Sequence, residues 1–144
     1  NELDVIHEKE VIQKFLGELR KDDGLYSYGE DEVRNNLIIG AVDTLLLSED
    51  LSSMRKTFKC GSCGYETKIT VKNQSEADKI NERCPNCNEI LKEESSMDLA
   101  EEFVEKAEEM NTDVEFISTE TEEGMQLFRA FGGIGAILRY YVER

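Results

Sequence analysis

The sequence is poor in the residues that usually signal catalysis, secretion or membrane insertion. Its 144 residues include one histidine, one proline and no tryptophan. His7 lies in a charged stretch near the start, so no Ser/His/Asp or Cys/His catalytic arrangement is predicted. No apolar run approaches the roughly 20 residues of a membrane-spanning helix, and residues 1–10 are too charged for a signal peptide. We therefore expect a cytoplasmic protein that is not an enzyme.

Basic residues are also scarce. The sequence contains 17 Lys and Arg against 32 Asp and Glu, a formal net charge of −15. Proteins that bind nucleic acids usually present a basic face, because neutralising phosphates releases counterions. The bulk of this chain is therefore not expected to bind RNA or DNA. Its acidic surface favours solubility, or binding to a basic protein partner.

The charge is unevenly distributed, and the difference divides the sequence. Residues 54–94 contain 8 basic and 7 acidic residues, a charge of +1, whereas the remainder contains 9 and 25, a charge of −16. We predict one discontinuous α/β domain, formed by residues 1–53 and 95–144, that carries residues 54–94 as a small insert. Because the sequence begins with Asn1 rather than Met, we expect it to be part of a larger protein.

Apolar periodicity and turn residues predict alternating helices and strands outside the insert. Helices are expected over residues 3–20 and 30–39, then after Ser95 through residue 110, and after Thr119 to about residue 131. Ser95 and Thr119 each have an acidic residue three positions later, the spacing of a capping box. Strands are expected over residues 25–28, 42–47, 114–118 and 135–142. This alternation predicts an α/β fold with a mostly parallel central sheet flanked by helices.

Four cysteines in two Cys-x-x-Cys pairs predict a metal site. The pairs are separated by twenty residues and comprise Cys60, Cys63, Cys84 and Cys87. Two cysteines three positions apart can direct both sulfurs to one point if the chain turns tightly. We expect Gly61 and Gly64 to provide that freedom in the first pair, and Pro85 with Asn86 in the second. Two such pairs form a tetrahedral Cys₄ site typical of a zinc ribbon.

Other chemistries for the cysteines are less consistent with the pattern. Disulfides need an oxidising compartment, and a thioredoxin-like motif would leave one pair unexplained. Iron in a rubredoxin-like site uses the same ligands and stays open alongside zinc. A closed Cys₄ shell leaves no position for water or substrate, so the metal is expected to be structural. Because the insert has few apolar residues, metal binding is expected to fold it.

Two further patterns resemble functional motifs without the required context. The glycine-rich segment of residues 131–136 follows a predicted helix and precedes a strand. A phosphate-binding loop needs the opposite order, a strand followed by a helix N-terminus. The carboxylate pairs Glu101-Glu102 and Glu122-Glu123 lie on predicted solvated helix faces. Neither pattern predicts catalysis or nucleotide binding.

Several segments together resemble the C-terminal domain of class I peptide chain release factors. They are YSYGEDEV (residues 26–33) with GAVDTLLLSED (residues 40–50), and EGMQL (residues 123–127) with FGGIGAILRY (residues 131–140). The cysteine insert between them resembles the minidomain of the archaeal members, whereas eukaryotic members generally lack these cysteines. In this family, peptidyl-tRNA hydrolysis belongs to another domain with a Gly-Gly-Gln loop. Here Gly132-Gly133 is followed by Ile134.

The resemblance implies a protein-docking domain that acts in translation termination. Its partners would be a translational GTPase of elongation-factor type and later the ABC-type ribosome recycling ATPase, with ribosome contact through the full-length protein. Matching positions place Leu19, Tyr26 and Phe131 in the apolar patch that contacts the GTPase. The alternative is that these three are ordinary core or edge residues.

A different interpretation is an RNA- or ribosome-binding module that acts through the zinc insert. Five basic residues of the insert would then contact RNA: Arg55, Lys56, Lys59, Lys68 and Lys72. Such binding would depend steeply on salt concentration.

Overall fold

The computed structural model describes residues 2–144, which form five helices and seven strands. The helices are α1 (Glu2–Glu18), α2 (Glu30–Ile38), α3 (Gln74–Asp78), α4 (Leu99–Glu109) and α5 (Glu122–Ala130). The strands are β1 (Tyr26–Tyr28), β2 (Val42–Ser48), β3 (Met54–Lys59), β4 (Glu66–Val71), β5 (Lys92–Asp98), β6 (Asp113–Ile117) and β7 (Ile134–Leu138). Among these helices, none is long and apolar enough to cross a bilayer.

The described residues divide into two compact units. The first contains the residues up to Leu51 together with Phe103–Arg144, and the second is Ser52–Glu102. The first unit has a four-stranded sheet in the order β1-β7-β2-β6. The second has a three-stranded sheet in the order β4-β3-β5, in which both pairings are antiparallel.

The prediction of a mostly parallel central sheet was wrong. Only β2 and β6 pair in parallel, whereas β7 is antiparallel to both β1 and β2. Three of the four strands run in the same direction, but β7 lies between two of them and runs the opposite way. Alternating helices and strands identify the segments, but they do not determine where a later strand inserts.

The core of the first unit lies between α1, α5 and one face of its sheet. Its buried residues are Ile12, Phe15, Leu46, Ile117, Leu127 and Ile137. Gly135 on β7 makes room for the ring of Phe15, because a β-carbon there would stand 2.9 Å from the ring Cζ. Leu45 and Leu47 point to the opposite face and are also fully buried.

Three element boundaries differ from the sequence prediction. Ser95 lies inside β5, paired with Thr57 of β3, so it does not cap a helix. Thr121, rather than Thr119, is the N-cap of α5, and its Oγ1 accepts a hydrogen bond of 3.0 Å from the N–H of Gly124. The last strand ends at Leu138. A capping box is defined by only two polar residues three positions apart, so the same pattern also occurs by chance in strands and turns.

Candidate metal centre and the aromatic surface

The first cysteine pair forms a tight turn at the end of β3. The N–H of Cys60 donates to the carbonyl of Tyr65 at 2.8 Å, and the N–H of Gly64 donates to the carbonyl of Cys60 at 3.0 Å. Gly64 has φ of +82°, a conformation that glycine adopts without strain. Gly61 has no positive φ, so only one of the two expected glycines has the predicted role.

The second cysteine pair repeats this geometry. The N–H of Cys84 donates to the carbonyl of Glu89 at 2.7 Å, and the N–H of Asn88 donates to the carbonyl of Cys84 at 2.9 Å. Asn88 has φ of 66°, so it has the role that Gly64 has in the first turn. The sequence prediction assigned this role to Pro85 and Asn86 and missed Asn88. Glycine or asparagine four residues after the first cysteine of a pair was the available signal.

The two turns bring all four cysteine sulfurs together. The Sγ atoms lie within 4.8 Å of one another, with 3.3 Å between Cys60 and Cys87 and 3.4 Å between Cys63 and Cys84. The cysteines are free thiols. A tetrahedral site with Zn–S bonds of about 2.3 Å has S···S edges of about 3.8 Å. The donor set and its spacing therefore fit a single tetrahedral metal ion.

Backbone N–H groups of both turns donate to the sulfurs. The pairs, donor first, are Ser62 and Cys63 to Cys60, Tyr65 to Cys63, Asn86 and Cys87 to Cys84, and Glu89 to Cys87. Such hydrogen bonds favour the thiolate. The N–H of Cys63, the thiol of Cys87 and the N–H of Ser62 lower the pKa of Cys60 to about 6. The pKa of Cys84 is also lowered, whereas the pKa values of Cys63 and Cys87 are raised, so only two of the four thiols favour the deprotonated form that a metal ion requires.

The core around the sulfurs is small. Cys60 and Cys84 are buried with Phe58 and Leu91, and a few half-buried side chains pack against them. Cys63 and Cys87 are exposed. Such a limited apolar cluster provides little hydrophobic stabilisation, so cross-linking by a metal ion would contribute much of the stability of this unit.

A buried lysine occupies the same face of the second sheet as Phe58. Lys56 is 1% exposed, and its Nζ donates to Oε1 of Gln74 at 2.8 Å, to Oε2 of Glu93 at 3.1 Å and to Oγ of Ser96 at 3.2 Å. Three acceptors satisfy the three ammonium protons. Lys56 therefore connects α3 to β5 and is not available to a partner.

Most of the basic residues proposed to contact RNA are buried or paired with carboxylates. Lys56 is buried, Arg55 lies 3.7 Å from Glu102, and Lys59 lies 3.7 Å from Glu66. Glu102 is itself 5% exposed, which corrects the expectation that it lies on a solvated helix face. Of the five basic residues, the remaining Lys68 and Lys72 are exposed. The local charge is therefore largely neutralised within the unit.

Leu19, Tyr26 and Phe131 all lie in the first unit. All three are half-buried and pack against the core beneath α1 and α5. Sequence reasoning missed Tyr28, which joins two of them: its ring lies 6.2 Å from that of Tyr26 and 4.9 Å from that of Phe131. Tyr28 lies two residues after Tyr26 on a strand, so the alternation of side chains was the signal that could have found it.

The glycine-rich segment connects α5 to β7, in the order that argues against a phosphate-binding loop. Gly132 and Gly133 have φ of 68° and 79°. The carbonyl of Gly133 accepts a hydrogen bond of 2.8 Å from the N–H of Ser48. These residues turn the chain into β7, one of the two internal strands of the sheet.

Comparison with known proteins identifies related sequences and structures. The family model described as eRF1 domain 3 matches residues 5–142. Peptide chain release factor subunit 1 of Methanobrevibacter smithii is 74% identical over 142 residues, which cover 99% of this chain and 34% of that protein. The chain therefore spans 34% of the length of this curated relative.

Solved structures show the same similarity. The C-terminal domain of a peptide chain release factor from Methanosarcina mazei is 45% identical with a TM-score of 0.88, covering 96% of this chain and 85% of that one. A model of ribosome-bound archaeal Pelota and ABCE1 contains a chain that is 21% identical with a TM-score of 0.59. The match covers 99% of this chain and 28% of that one. At this identity the second match indicates a shared fold alone.

Proposed function

Because the chain belongs to the eRF1 domain 3 family, we propose that it is the partner-docking domain of an archaeal class I peptide chain release factor. It docks a translational GTPase of elongation-factor type and then the ABC-type recycling ATPase, in the cytoplasm, while the full-length protein is on the ribosome. The domain is not itself an enzyme: Gly132-Gly133 is followed by Ile134, so the Gly-Gly-Gln motif is absent.

The observation that carries the docking proposal is the aromatic surface of the first unit. Leu19, Tyr26 and Phe131 each pack against the same core cluster and stay half-buried. Tyrosine is enriched in binding hot spots, which lie in well-packed surroundings. Archaeal Pelota, a protein of the same fold, is described in a ribosome-bound model together with ABCE1.

Calorimetric titration of this chain against an elongation-factor-type GTPase loaded with a GTP analogue tests the proposal. We expect binding that Leu19→Ala and Phe131→Ala each weaken at least tenfold, since each removes apolar contact area. Ile38→Ala is the matched control, because Ile38 is 57% exposed at the end of α2. Thermal melts must show that all variants fold, because Phe131 also packs on Phe15. No binding by the unaltered chain would contradict the proposal.

The second part of the proposal is one structural zinc ion per chain at the four cysteines. The sulfur spacing and the six N–H···S hydrogen bonds support it. The ion would cross-link the two turns and stabilise residues 54–94 as a minidomain inserted between residues 1–53 and 95–144. Elemental analysis of protein purified without added metal is expected to give one zinc per chain. One iron per chain, with the visible absorption of a ferric thiolate site, would contradict it.

An RNA-binding role for the insert has less support, because three of the five basic residues proposed to contact RNA are buried or paired with carboxylates. A salt-titrated RNA-binding assay distinguishes the two roles. Micromolar binding with a steep salt dependence, lost in Lys68→Ala and Lys72→Ala together, would favour the RNA-binding role.

A further inference from the structure

The face of β1 that carries Tyr26 and Tyr28 is only partly covered. Tyr26 pairs with Ile137, whose side chain lies in the core beneath α1 and α5. Side chains alternate along a strand, so Tyr26 and Tyr28 both lie on this face. β1 is an edge strand of the sheet, and Tyr28 remains 43% exposed. An aromatic ring is therefore presented at the margin of the helical layer.

Contacts between rings hold Tyr28 in place. It stacks on Tyr26 with an interplanar angle of 10° and meets Phe131 edge-on at 66°. Phe131 in turn meets the fully buried Phe15 at 5.6 Å and 88°. The row of rings runs from the surface into the core. A ring held on two sides loses little rotational freedom when a partner binds, so its contact area contributes efficiently to affinity.

Arg144 contacts Tyr26, which is at the end of this row opposite to Phe15. The guanidinium of Arg144 lies 3.7 Å from the ring centroid of Tyr26. Arg144 also donates to the carbonyls of Gly24 at 3.3 Å and Tyr26 at 3.0 Å. The carbonyl of Leu25 is bonded to Leu138 of β7, so the carbonyls on either side of it point to the free edge of β1. Arg144 therefore fixes both the ring of Tyr26 and the backbone that carries it.

We propose that Tyr28 is the central contact residue of the docking surface and that Arg144 is its positioning residue. This inference rests on the docking function proposed above. The partner presents an apolar side chain to Tyr28 with Lys or Arg beside it. Charge complementarity supports that choice at the level of net charge, since the exposed Asp31, three residues on, is already paired with Arg34 at 3.3 Å. The chain outside residues 54–94 has a charge of −16.

The titration against the GTP-analogue-loaded GTPase tests Tyr28 directly. We expect Tyr28→Ala to weaken binding at least tenfold and Tyr28→Phe to stay within twofold of the unaltered chain, because the ring provides the contact. Ile38→Ala again serves as the exposed apolar control. If Tyr28→Ala binds within twofold of the unaltered chain while Leu19→Ala weakens binding, the inference is overturned and the docking function stands. If the unaltered chain does not bind, both fail.

A double-mutant cycle tests Arg144. Arg144→Ala is expected to weaken binding three- to tenfold in the unaltered chain. It is expected to have no further effect in the Tyr28→Ala background, because Arg144 acts on the partner only through Tyr26 and Tyr28. Arg144→Lys should not restore affinity, since an ammonium cannot donate to two carbonyls while lying flat on Tyr26. Acrylamide quenching of tyrosine fluorescence should increase in Arg144→Ala. An equal loss in both backgrounds would overturn the positioning role.

Discussion

The Nε2 atom of His7 on α1 lies 2.6 Å from Oε1 of Glu115 on β6, and the two residues are 108 positions apart in sequence. The hydrogen bond and the charge of Glu115 raise the pKa of His7 above its ordinary value of 6.5. A group whose folded-state pKa is raised stabilises the fold fully below its unfolded pKa and loses that contribution as pH rises through the folded pKa. The pair therefore stabilises the fold at acidic pH and ceases to do so above the raised pKa.

A proton NMR titration measures this shift without ambiguity, because His7 is the only histidine. We expect a pKa above 6.5 that Glu115→Gln returns towards that value. Glu10→Gln is the matched control, since the charge of Glu10 makes a smaller contribution. Equal pKa values in the unaltered chain and Glu115→Gln would show that the contact does not form in solution.

Metal removal is expected to unfold the second unit and leave the first unit folded. The second unit has a small core around Cys60 and Cys84, whereas the core of the first unit lies beneath α1 and α5. Hydrogen exchange after treatment with a strong chelator should show loss of protection in β3, β4 and β5 and retained protection in β2 and β7. Cys63→Ser should reproduce this result without chelator, and Ser62→Ala should not. Loss of protection throughout the chain would contradict it.

A β-carbon at Gly124 would clash with the backbone carbonyl of Ser118. Because a backbone atom cannot rotate away, Gly124→Ala is expected to destabilise the first unit by about 1–3 kcal/mol. Gly17 in α1 has nothing within 4 Å of the same position. Gly17→Ala should stabilise by up to about 1 kcal/mol, because alanine favours a helix. Urea denaturation measures both, and effects of the same sign would contradict this account.

Removing the amino group of Lys56 leaves Gln74, Glu93 and Ser96 without their shared donor. Breaking a buried ion pair from one side costs about 3–5 kcal/mol, and less where the carboxylate can reach water. Glu93 is 34% exposed, so we expect Lys56→Ala to destabilise the second unit by about 2–3 kcal/mol. Lys68→Ala, at an exposed position, should change stability by less than about 0.5 kcal/mol. Equal effects of the two variants would show that the lysine contributes no net stabilisation.

Several features could be predicted from the sequence because they depend on residues close together in the chain. The helices of residues 2–18 and 30–38 follow from apolar spacing and from turn glycines. The cysteine pairs bring their sulfurs together because each turn closes within six residues. The resemblance to the C-terminal domain of class I release factors was confirmed by the family match over residues 5–142.

Other features depend on contacts between distant segments. The sequence identified β7 as a strand, but its insertion between β1 and β2 makes two of the three pairings antiparallel. The local pattern around Glu102 on α4 resembled a solvated helix face, but Arg55 of β3 lies 3.7 Å from it as a partly buried counterion.

The sequence by itself determined where the helices and strands outside residues 54–94 form, which four side chains could ligate a metal ion, and which family the chain belongs to. The tertiary structure alone decided the strand directions, the burial of Lys56 and the row of rings from Tyr28 to Phe15. The physical reason is the separation along the chain between the residues that interact. Helix periodicity and cysteine turns involve neighbours in the chain, whereas strand order, ion pairing and ring contacts depend on which distant segments pack together.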